Sequence, residues 1–199
     1  MRFVHIAEPD DADRVDVEAF IQNIYGRQYD ARIARFARQL LCCTGADGEI
    51  HCAAGLRLPG DGFFSERYLD EPVEAALSRA AGQRVHREDV FEVTTLASRS
   101  PRELSTFIDD IIAFGASNGL SWCFFTLTRR LALLVQRRHL APIQLADADP
   151  ARIPGAEAWG RYYETEPKVF GVCGARVARA SFSLATGPSQ PAVSHALLP

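Results

Sequence analysis

Glu92 is the residue whose position in this sequence most favours chemistry. It lies in an apolar segment, Asp89–Ala97, that has the composition of a central strand. Burial in such a strand raises the pKa of a carboxyl group, which suits it to act as a general base near neutral pH. A structural interpretation is equally open, in which Glu92 pairs with an arginine such as Arg57 and joins two strands.

Two groups of aromatic residues are further candidates. Trp122 and Phe124 belong to a strand that places aromatic side chains on both faces, so they either line a substrate channel or pack in the core. Trp159, Tyr162 and Tyr163 form a second group, and either tyrosine can serve as a proton donor if it faces the site. Packing of the last strand explains the second group equally well.

The composition predicts one α/β domain and restricts its partners. The chain has 199 residues, 47% of them hydrophobic, which is enough for a single core. We expect the domain to span residues 1–180 and residues 181–199 to form a loose tail. A net charge of −3 gives no general attraction to nucleic acid or to an anionic membrane, so we expect no nucleic-acid partner.

The cysteines and histidines predict no metal site. The five cysteines are odd in number and irregular in spacing, and they are typical of buried thiols rather than of a disulfide framework. Neither Cys-x-x-Cys nor His-x-x-x-His occurs. The sequence also lacks a signal-like N-terminus and an apolar segment of the ~18 residues that a membrane span needs. We therefore expect a cytoplasmic protein without stable membrane insertion.

The strongest local signals predict a β–α–β unit. Ser100 is a helix cap, Pro101 takes the first helical position, and Glu103 completes a Ser-x-x-Glu capping box. This helix follows the strand Asp89–Ala97 and precedes the strand Leu120–Leu127. Since a strand, helix and strand connect most naturally in parallel, we expect a mixed sheet that splays between these two strands.

The other elements follow from apolar periodicity and turn residues. The predicted strands are Arg2–Ile6, Gln39–Thr44, Glu49–Leu58, Pro142–Ala146 and Lys168–Ala178. The predicted helices are one that begins near residues 11–13, and the segments Ala31–Arg38, Val73–Ala81 and Arg129–His139.

Six segments together resemble the thermostable hemolysin family. They are YDARIARF at 29–36, RYLDEPVE at 67–74, FEVTTLAS at 91–98, WCFFTLTRRL at 122–131, HLAPIQLADADPARI at 139–153 and WGRYYETEPKV at 159–169. This family is similar to the acyl-homoserine-lactone synthases, in which a Gly-x-x-Arg-Leu strand precedes a strand with a characteristic glutamate. Arg57 and Glu92 occupy those positions here. Gly55 lies one residue too close to Arg57, and Thr95 replaces an arginine of the synthases, which argues against S-adenosylmethionine as substrate.

The resemblance implies a GNAT-like N-acyltransferase fold, with helices on both faces of a splayed sheet. It further implies transfer of an acyl group from a thioester donor to a small amine, for which Glu92 is the candidate base. Arg57 can bind a carboxylate of the acceptor or a phosphate, or it is only solvated at the end of its strand. Trp122 or Phe124 then lines an acyl channel, unless both pack in the core. The donor is carried either by coenzyme A or by the phosphopantetheine of an acyl carrier protein.

The residues just before the predicted helix at Pro101 bear on the choice between coenzyme A and a carrier protein. A GNAT phosphate cradle uses free backbone N–H groups at this helix N-terminus, but Pro101 has none and the capping box uses others. Arg99 and Arg102 can instead contact a phosphopantetheine phosphate, or they only solvate the helix. An acidic carrier protein then has an arginine-rich surface to dock on, formed by Arg129, Arg130, Arg137 and Arg138.

Two other functions stay open at the level of sequence. The family name implies membrane damage, although the predicted helix at Arg129–His139 has only about three turns. The second alternative is a GNAT-like ligand-binding domain without catalytic activity, which the lack of a channel beside Glu92 would favour.

Overall fold

The computed structural model describes residues 2–138 and 140–174, which form a seven-stranded sheet covered by helices on both faces. The strands are β1 (Arg2–Ala7), β2 (Gln39–Gly45), β3 (Ile50–Arg57), β4 (Val90–Ser98), β5 (Trp122–Leu127), β6 (Ile143–Asp147) and β7 (Lys168–Cys173). The helices are α1 (Arg14–Tyr29), α2 (Val73–Ala81), α3 (Pro101–Ser117) and α4 (Arg129–Arg137). The end of the predicted strand Lys168–Ala178 and the predicted tail lie outside the described residues.

The sheet is mixed, as predicted, with the strand order β1-β2-β3-β4-β5-β7-β6. Strands β4 and β5 are parallel, and the other neighbouring strands are antiparallel. Helices α1 and α2 cover one face of the sheet, and α3 and α4 cover the other. This arrangement confirms the predicted class of an α/β fold with helices on both faces.

The predicted splay lies between β4 and β5. The two strands pair only over Val90–Val93 and Trp122–Phe125, whereas β4 continues to Ser98. The register between β3 and β4 shifts in the same region, and Thr95 has a φ of 46°. A positive φ at a β-branched residue is a strained conformation that bends the strand. The second half of β4 therefore diverges from β5 and opens a gap in the sheet.

Helix α3 begins as its sequence predicts. The Ser100 hydroxyl accepts a hydrogen bond from the Glu103 backbone N–H at 3.3 Å, and it donates to the Glu103 carboxylate at 2.9 Å. Its buried side chains include Leu104, Phe107 and Ile108, which recur at helical spacing and pack toward the sheet. The packing of this helix therefore follows from local signals alone.

The predicted helix at Ala31–Arg38 is wrong. Helix α1 ends at Tyr29, and residues 31–38 form an irregular segment in which Ala31 and Ile33 are buried and the residue between them is exposed. The Gln22 side chain bonds the backbone of both, donating to the Ala31 carbonyl and accepting from the Ile33 N–H, each at 2.8 Å. Because distant groups satisfy this backbone, it needs no helical hydrogen bonds.

Candidate active site at the β4–β5 splay

Glu92 lies in β4 and is completely buried. Its two carboxylate oxygens accept hydrogen bonds from the backbone N–H groups of Phe64 and Ser65, at 2.6 and 2.7 Å. These two residues open the 3₁₀ turn Ser65–Tyr68, so the carboxylate anchors the segment between β3 and α2. Burial raises the pKa of Glu92, and hydrogen bonds from Ser65 and Phe64 and the charge of Arg57 oppose that rise.

Arg57 lies directly opposite Glu92 in the β3–β4 register, so both side chains project from the same face of the sheet. Its Nη1 donates weakly to the Gly62 carbonyl oxygen at 3.4 Å. The buried Nε has no hydrogen-bond partner within residues 2–138 and 140–174. Arg57 acts on Glu92 through its charge, while backbone N–H groups make the direct contacts to the carboxylate.

An apolar cavity of about 530 Å³ lies on the other face of the sheet, between α3, α4 and the splayed strands. Its lining includes Leu96, Leu104, Ile108, Phe125, Leu131 and Leu134. Two threonines, Thr95 of β4 and Thr126 of β5, add hydroxyl groups at the splay. The Thr95 hydroxyl is buried and finds no partner among the described residues, which leaves it free to donate to a ligand.

Ser65 connects the surroundings of Glu92 to the splay. It is a buried polar residue, 2% exposed. Its hydroxyl accepts a hydrogen bond from the Thr126 hydroxyl at 2.8 Å, and its backbone N–H donates to Glu92 at 2.7 Å. Sequence reasoning missed both residues: Ser65 lies outside the six family segments, and Thr126 lies within the segment 122–131 but was not distinguished from its apolar neighbours.

Tyr162 and Trp159 lie in an aromatic cluster between the end of α1 and the splay. The Tyr162 hydroxyl donates to the Thr126 carbonyl oxygen at 3.4 Å, and burial strongly raises its pKa. The Trp159 ring lies 5.5 Å from the Tyr162 ring and 5.7 Å from that of Phe64. Tyr162 is therefore placed at the open end of β5, while Trp159 packs behind it.

Tyr163 projects toward the segment that Glu92 anchors. Its hydroxyl lies 2.8 Å from the Tyr68 hydroxyl, at the end of the 3₁₀ turn Ser65–Tyr68. Burial raises the pKa of both phenols. At neutral pH both groups are therefore protonated and able to donate a hydrogen bond.

Trp122 and Phe124 lie in the core beside α2, on the face of β5 opposite the cavity. The Phe124 ring is 5.0 Å from that of Phe63, in an edge-to-face arrangement. The neighbouring residues Cys123 and Phe125 line the cavity instead. Because both faces of this strand are apolar, its residue pattern alone does not show which face meets the cavity.

The start of α3 has few free hydrogen-bond donors. The Arg99 N–H donates to the His51 carbonyl oxygen at 3.0 Å, and the Arg99 side chain pairs with Glu49 at the surface. Pro101 has no N–H, and the Glu103 N–H is bonded to Ser100. The Arg102 side chain is exposed. Among the described residues Arg102 has no ion pair, whereas Arg99, the other predicted phosphate ligand, pairs with Glu49.

Residues 7–177 match the family model described as thermostable hemolysin. The chain belongs to the thermostable hemolysin family. This confirms the resemblance read from the six segments. No curated protein shows significant sequence similarity to this family member.

Solved structures similar to this thermostable hemolysin family member include several acyltransferases. FeeM, an N-acyl amino acid synthase from uncultured soil microbes, has a TM-score of 0.60 at 10% identity and aligns over 90% of this chain and 95% of its own. BjaI, a CoA-dependent acyl-homoserine lactone synthase solved with SAM and isopentyl-CoA, has a TM-score of 0.59 at 10% identity. The alignment covers 95% of this chain and 92% of BjaI. The acyl-homoserine-lactone synthase LasI has a TM-score of 0.58 at 8% identity, and the alignment covers 87% of this chain and 90% of LasI. These likenesses confirm the GNAT-like fold.

Two features of the described residues bear on the membrane and metal predictions. Within residues 2–138 and 140–174, no helix is both long and apolar enough to cross a bilayer. The same part of the chain holds no cluster of three His, Cys, Asp or Glu side chains arranged for a metal ion.

Proposed function

We propose that this protein is an acyltransferase that moves an acyl group from a thioester donor to a small amine. The observation that carries the proposal is the splay between β4 and β5, with an apolar cavity of about 530 Å³ on one face and the buried Glu92 on the other. The cavity volume lies in the range of small-molecule sites, ~300–1,000 Å³. A thioester arm lying in the gap places its acyl chain in the cavity and its carbonyl carbon between the strands.

The reaction needs three contributions at that carbon. The neutral amine forms a C–N bond, the C–S bond breaks, and the amine proton passes by way of a base to the departing thiolate. Glu92 is the proposed base, because burial raises its pKa toward the range in which a carboxylate removes a proton effectively. The unpartnered Thr95 hydroxyl is the proposed donor to the developing oxyanion. Tyr162 or Tyr163 donates a hydrogen bond that stabilises the leaving thiolate until it takes the proton from Glu92.

The surroundings of Glu92 favour an amine that also carries a carboxylate. The Arg57 guanidinium lies beside Glu92, and its buried Nε needs an acceptor. Arginine binds carboxylates well because its planar N–H groups match their geometry. An amino acid places its amine toward Glu92 and its carboxylate toward Arg57, and the similar fold of FeeM, an N-acyl amino acid synthase, supports this choice.

The donor is a coenzyme A thioester or an acyl carrier protein. Few free N–H groups at the start of α3 favour the carrier protein, because a pyrophosphate needs several such donors. Arg102 then contacts the phosphopantetheine phosphate, and the exposed arginines of α4 face the acidic carrier: Arg129, Arg130 and Arg137. Arg138 is already bonded to Ser105 and Asp109.

The test measures N-acyl product by mass spectrometry, with a mixture of amino acids and matched acyl-coenzyme A and acyl-carrier-protein donors. We expect product only with active protein, and a steeper salt dependence for the carrier-protein donor. Charge reversal of Arg130 should raise KM for that donor alone, while reversal of the exposed Arg84, which follows α2 on the other face of the sheet, should leave both donors unchanged. Product formation at wild-type rate by Glu92→Gln would remove Glu92 as the base.

The family name supports a second candidate, damage to membranes. The test is dye release from anionic and neutral vesicles by protein free of detergent. We expect no release, and dose-dependent release without any acyl transfer would favour the second candidate. Binding of a fatty acyl donor without turnover would instead favour a ligand-binding domain.

A further inference from the structure

Glu92 does not itself contact an amine that attacks a carbonyl carbon in the gap between β4 and β5. It is fully buried, it projects from the face of β4 opposite the cavity, and both of its oxygens bind backbone N–H groups of Phe64 and Ser65. A base in such a position needs a route for the proton. The residues between Glu92 and the splay decide whether the fold provides one.

We propose that Ser65 and Thr126 form a proton relay that connects the gap between β4 and β5 to Glu92. Thr126 lies at the splay, and its hydroxyl donates to the Ser65 hydroxyl at 2.8 Å. The Ser65 N–H donates to the Glu92 Oε1 at 2.7 Å, and its hydroxyl lies close enough to the carboxylate to oppose the rise in the Glu92 pKa. The inference rests on the proposed acyl transfer and assigns two residues to its proton-transfer step. Ser65 is a positioning residue, because it acts through Glu92 and Thr126.

The direction of the hydrogen bonds suits the relay. The Thr126 hydroxyl donates to the Ser65 oxygen, and a hydroxyl carries a single proton, so Ser65 is left to donate its own to Glu92. The amine nitrogen passes its proton to the Thr126 oxygen as Thr126 passes its proton to Ser65 and Ser65 to Glu92. Glu92 becomes neutral, and the same proton returns along the chain to the thiolate released from the donor. No other reactant is needed.

The deep burial of Ser65 is unusual for a hydroxyl side chain. Ser65 is 2% exposed and lies against the aromatic core beside α2. A buried hydroxyl costs free energy unless it is hydrogen-bonded, so apolar residues would fill this space at lower cost. The Tyr162 hydroxyl reaches the Thr126 carbonyl oxygen at 3.4 Å and holds the end of β5 in place. The hydroxyl groups of Thr126 and Ser65 are thus held in place beside the Glu92 carboxylate.

Isosteric variants test the relay once turnover of the wild-type protein has been measured. Thr126→Val removes the hydroxyl and keeps the shape, and we expect kcat to fall ~100-fold, in the range for loss of a general base, with KM changed less than ~3-fold. Thr126→Ser restores the hydroxyl and should keep kcat within ~3-fold of wild type. Ser65→Ala should match Thr126→Val, and the double variant should be no slower, because either change alone breaks the relay.

The pH profile separates a relay from a structural contact. In the wild type we expect kcat to rise with pH as Glu92 ionises, and in Thr126→Val this rise should disappear. If Thr126 only packs, its replacement should leave the rise of kcat with pH unchanged. Wild-type kcat and an unchanged rise with pH in Thr126→Val would overturn the relay and leave acyl transfer standing. Lack of turnover in the wild type with every donor would overturn the acyl transfer and the relay together. If Ser65→Ala does not fold, the Thr126 pair of variants still decides the result.

Discussion

Replacing Glu92 by glutamine tests how the fold uses this carboxyl group. Glutamine has nearly the same shape, but its amide oxygen accepts one backbone N–H and its NH₂ faces the other. One buried N–H is therefore left without an acceptor, which costs about 1–3 kcal/mol. For a chain of this size each kcal/mol lowers Tm by roughly 2–4 °C, so we expect a decrease of roughly 2–12 °C at about pH 5.

The pH dependence of that difference has a definite sign. Burial raises the pKa of Glu92, so folding favours the protonated form. The resulting stability is complete below the unfolded pKa of about 4.3 and is lost as pH rises through the folded pKa. The Tm difference between wild type and Glu92→Gln should therefore narrow with rising pH. A difference that widens would mean that the fold favours the carboxylate.

The variant Arg57→Met, combined with Glu92→Gln, tests whether Arg57 and Glu92 form a direct ion pair. Because backbone N–H groups make the contacts to Glu92, the double variant should show a coupling energy below about 1 kcal/mol at pH 5. Breaking a buried ion pair costs about 3–5 kcal/mol. Coupling of that size, or an unchanged Tm in Glu92→Gln, would refute the assigned hydrogen bonds.

Three further predictions concern other parts of the molecule. Gly160→Ala should lower the free energy of unfolding by at least about 2 kcal/mol, measured by thermal unfolding, since φ is 53° and a Cβ would clash with the Tyr29 carbonyl oxygen. Gly48→Ala, with φ of 78° but open space around it, should cost about 1 kcal/mol. Leu134→Trp should lower kcat/KM for the longest accepted acyl donor at least ~10-fold, and Leu133→Trp, on the exposed side of α4, less than ~2-fold. Equal effects of the two tryptophans would remove the cavity as the acyl site. Vesicles should retain their dye at micromolar protein, since a net charge of −3 gives no general attraction to an anionic bilayer, and leakage without acyl transfer would contradict the acyltransferase account.

Local signals predicted much of the fold. The capping box at Ser100, the apolar repeat of α3 and the following strand predicted the β–α–β unit, and the structure confirms it. The segment Ala31–Arg38 was predicted wrongly, because its hydrogen-bond partners include Gln22 and the Ala158 carbonyl oxygen, which no local pattern reveals.

The candidate site was only partly predictable. An acid in an apolar strand indicates a buried carboxyl, and Glu92 is buried. Its contacts to the N–H groups of Phe64 and Ser65 depend on how the segment after β3 returns to the sheet, which is a tertiary feature. The cavity side of β5 was equally hidden, because both faces of a buried strand are apolar.

The central claim is acyl transfer at the β4–β5 splay, and one measurement tests it most directly. Purified protein is incubated with a series of acyl-carrier-protein and acyl-coenzyme A donors and an amino acid mixture, and N-acyl products are quantified by mass spectrometry against time. The account predicts product formation proportional to the amount of protein and reduced ~100-fold or more in Glu92→Gln. Absence of product with every donor, from folded protein that binds an acyl ligand, would contradict it.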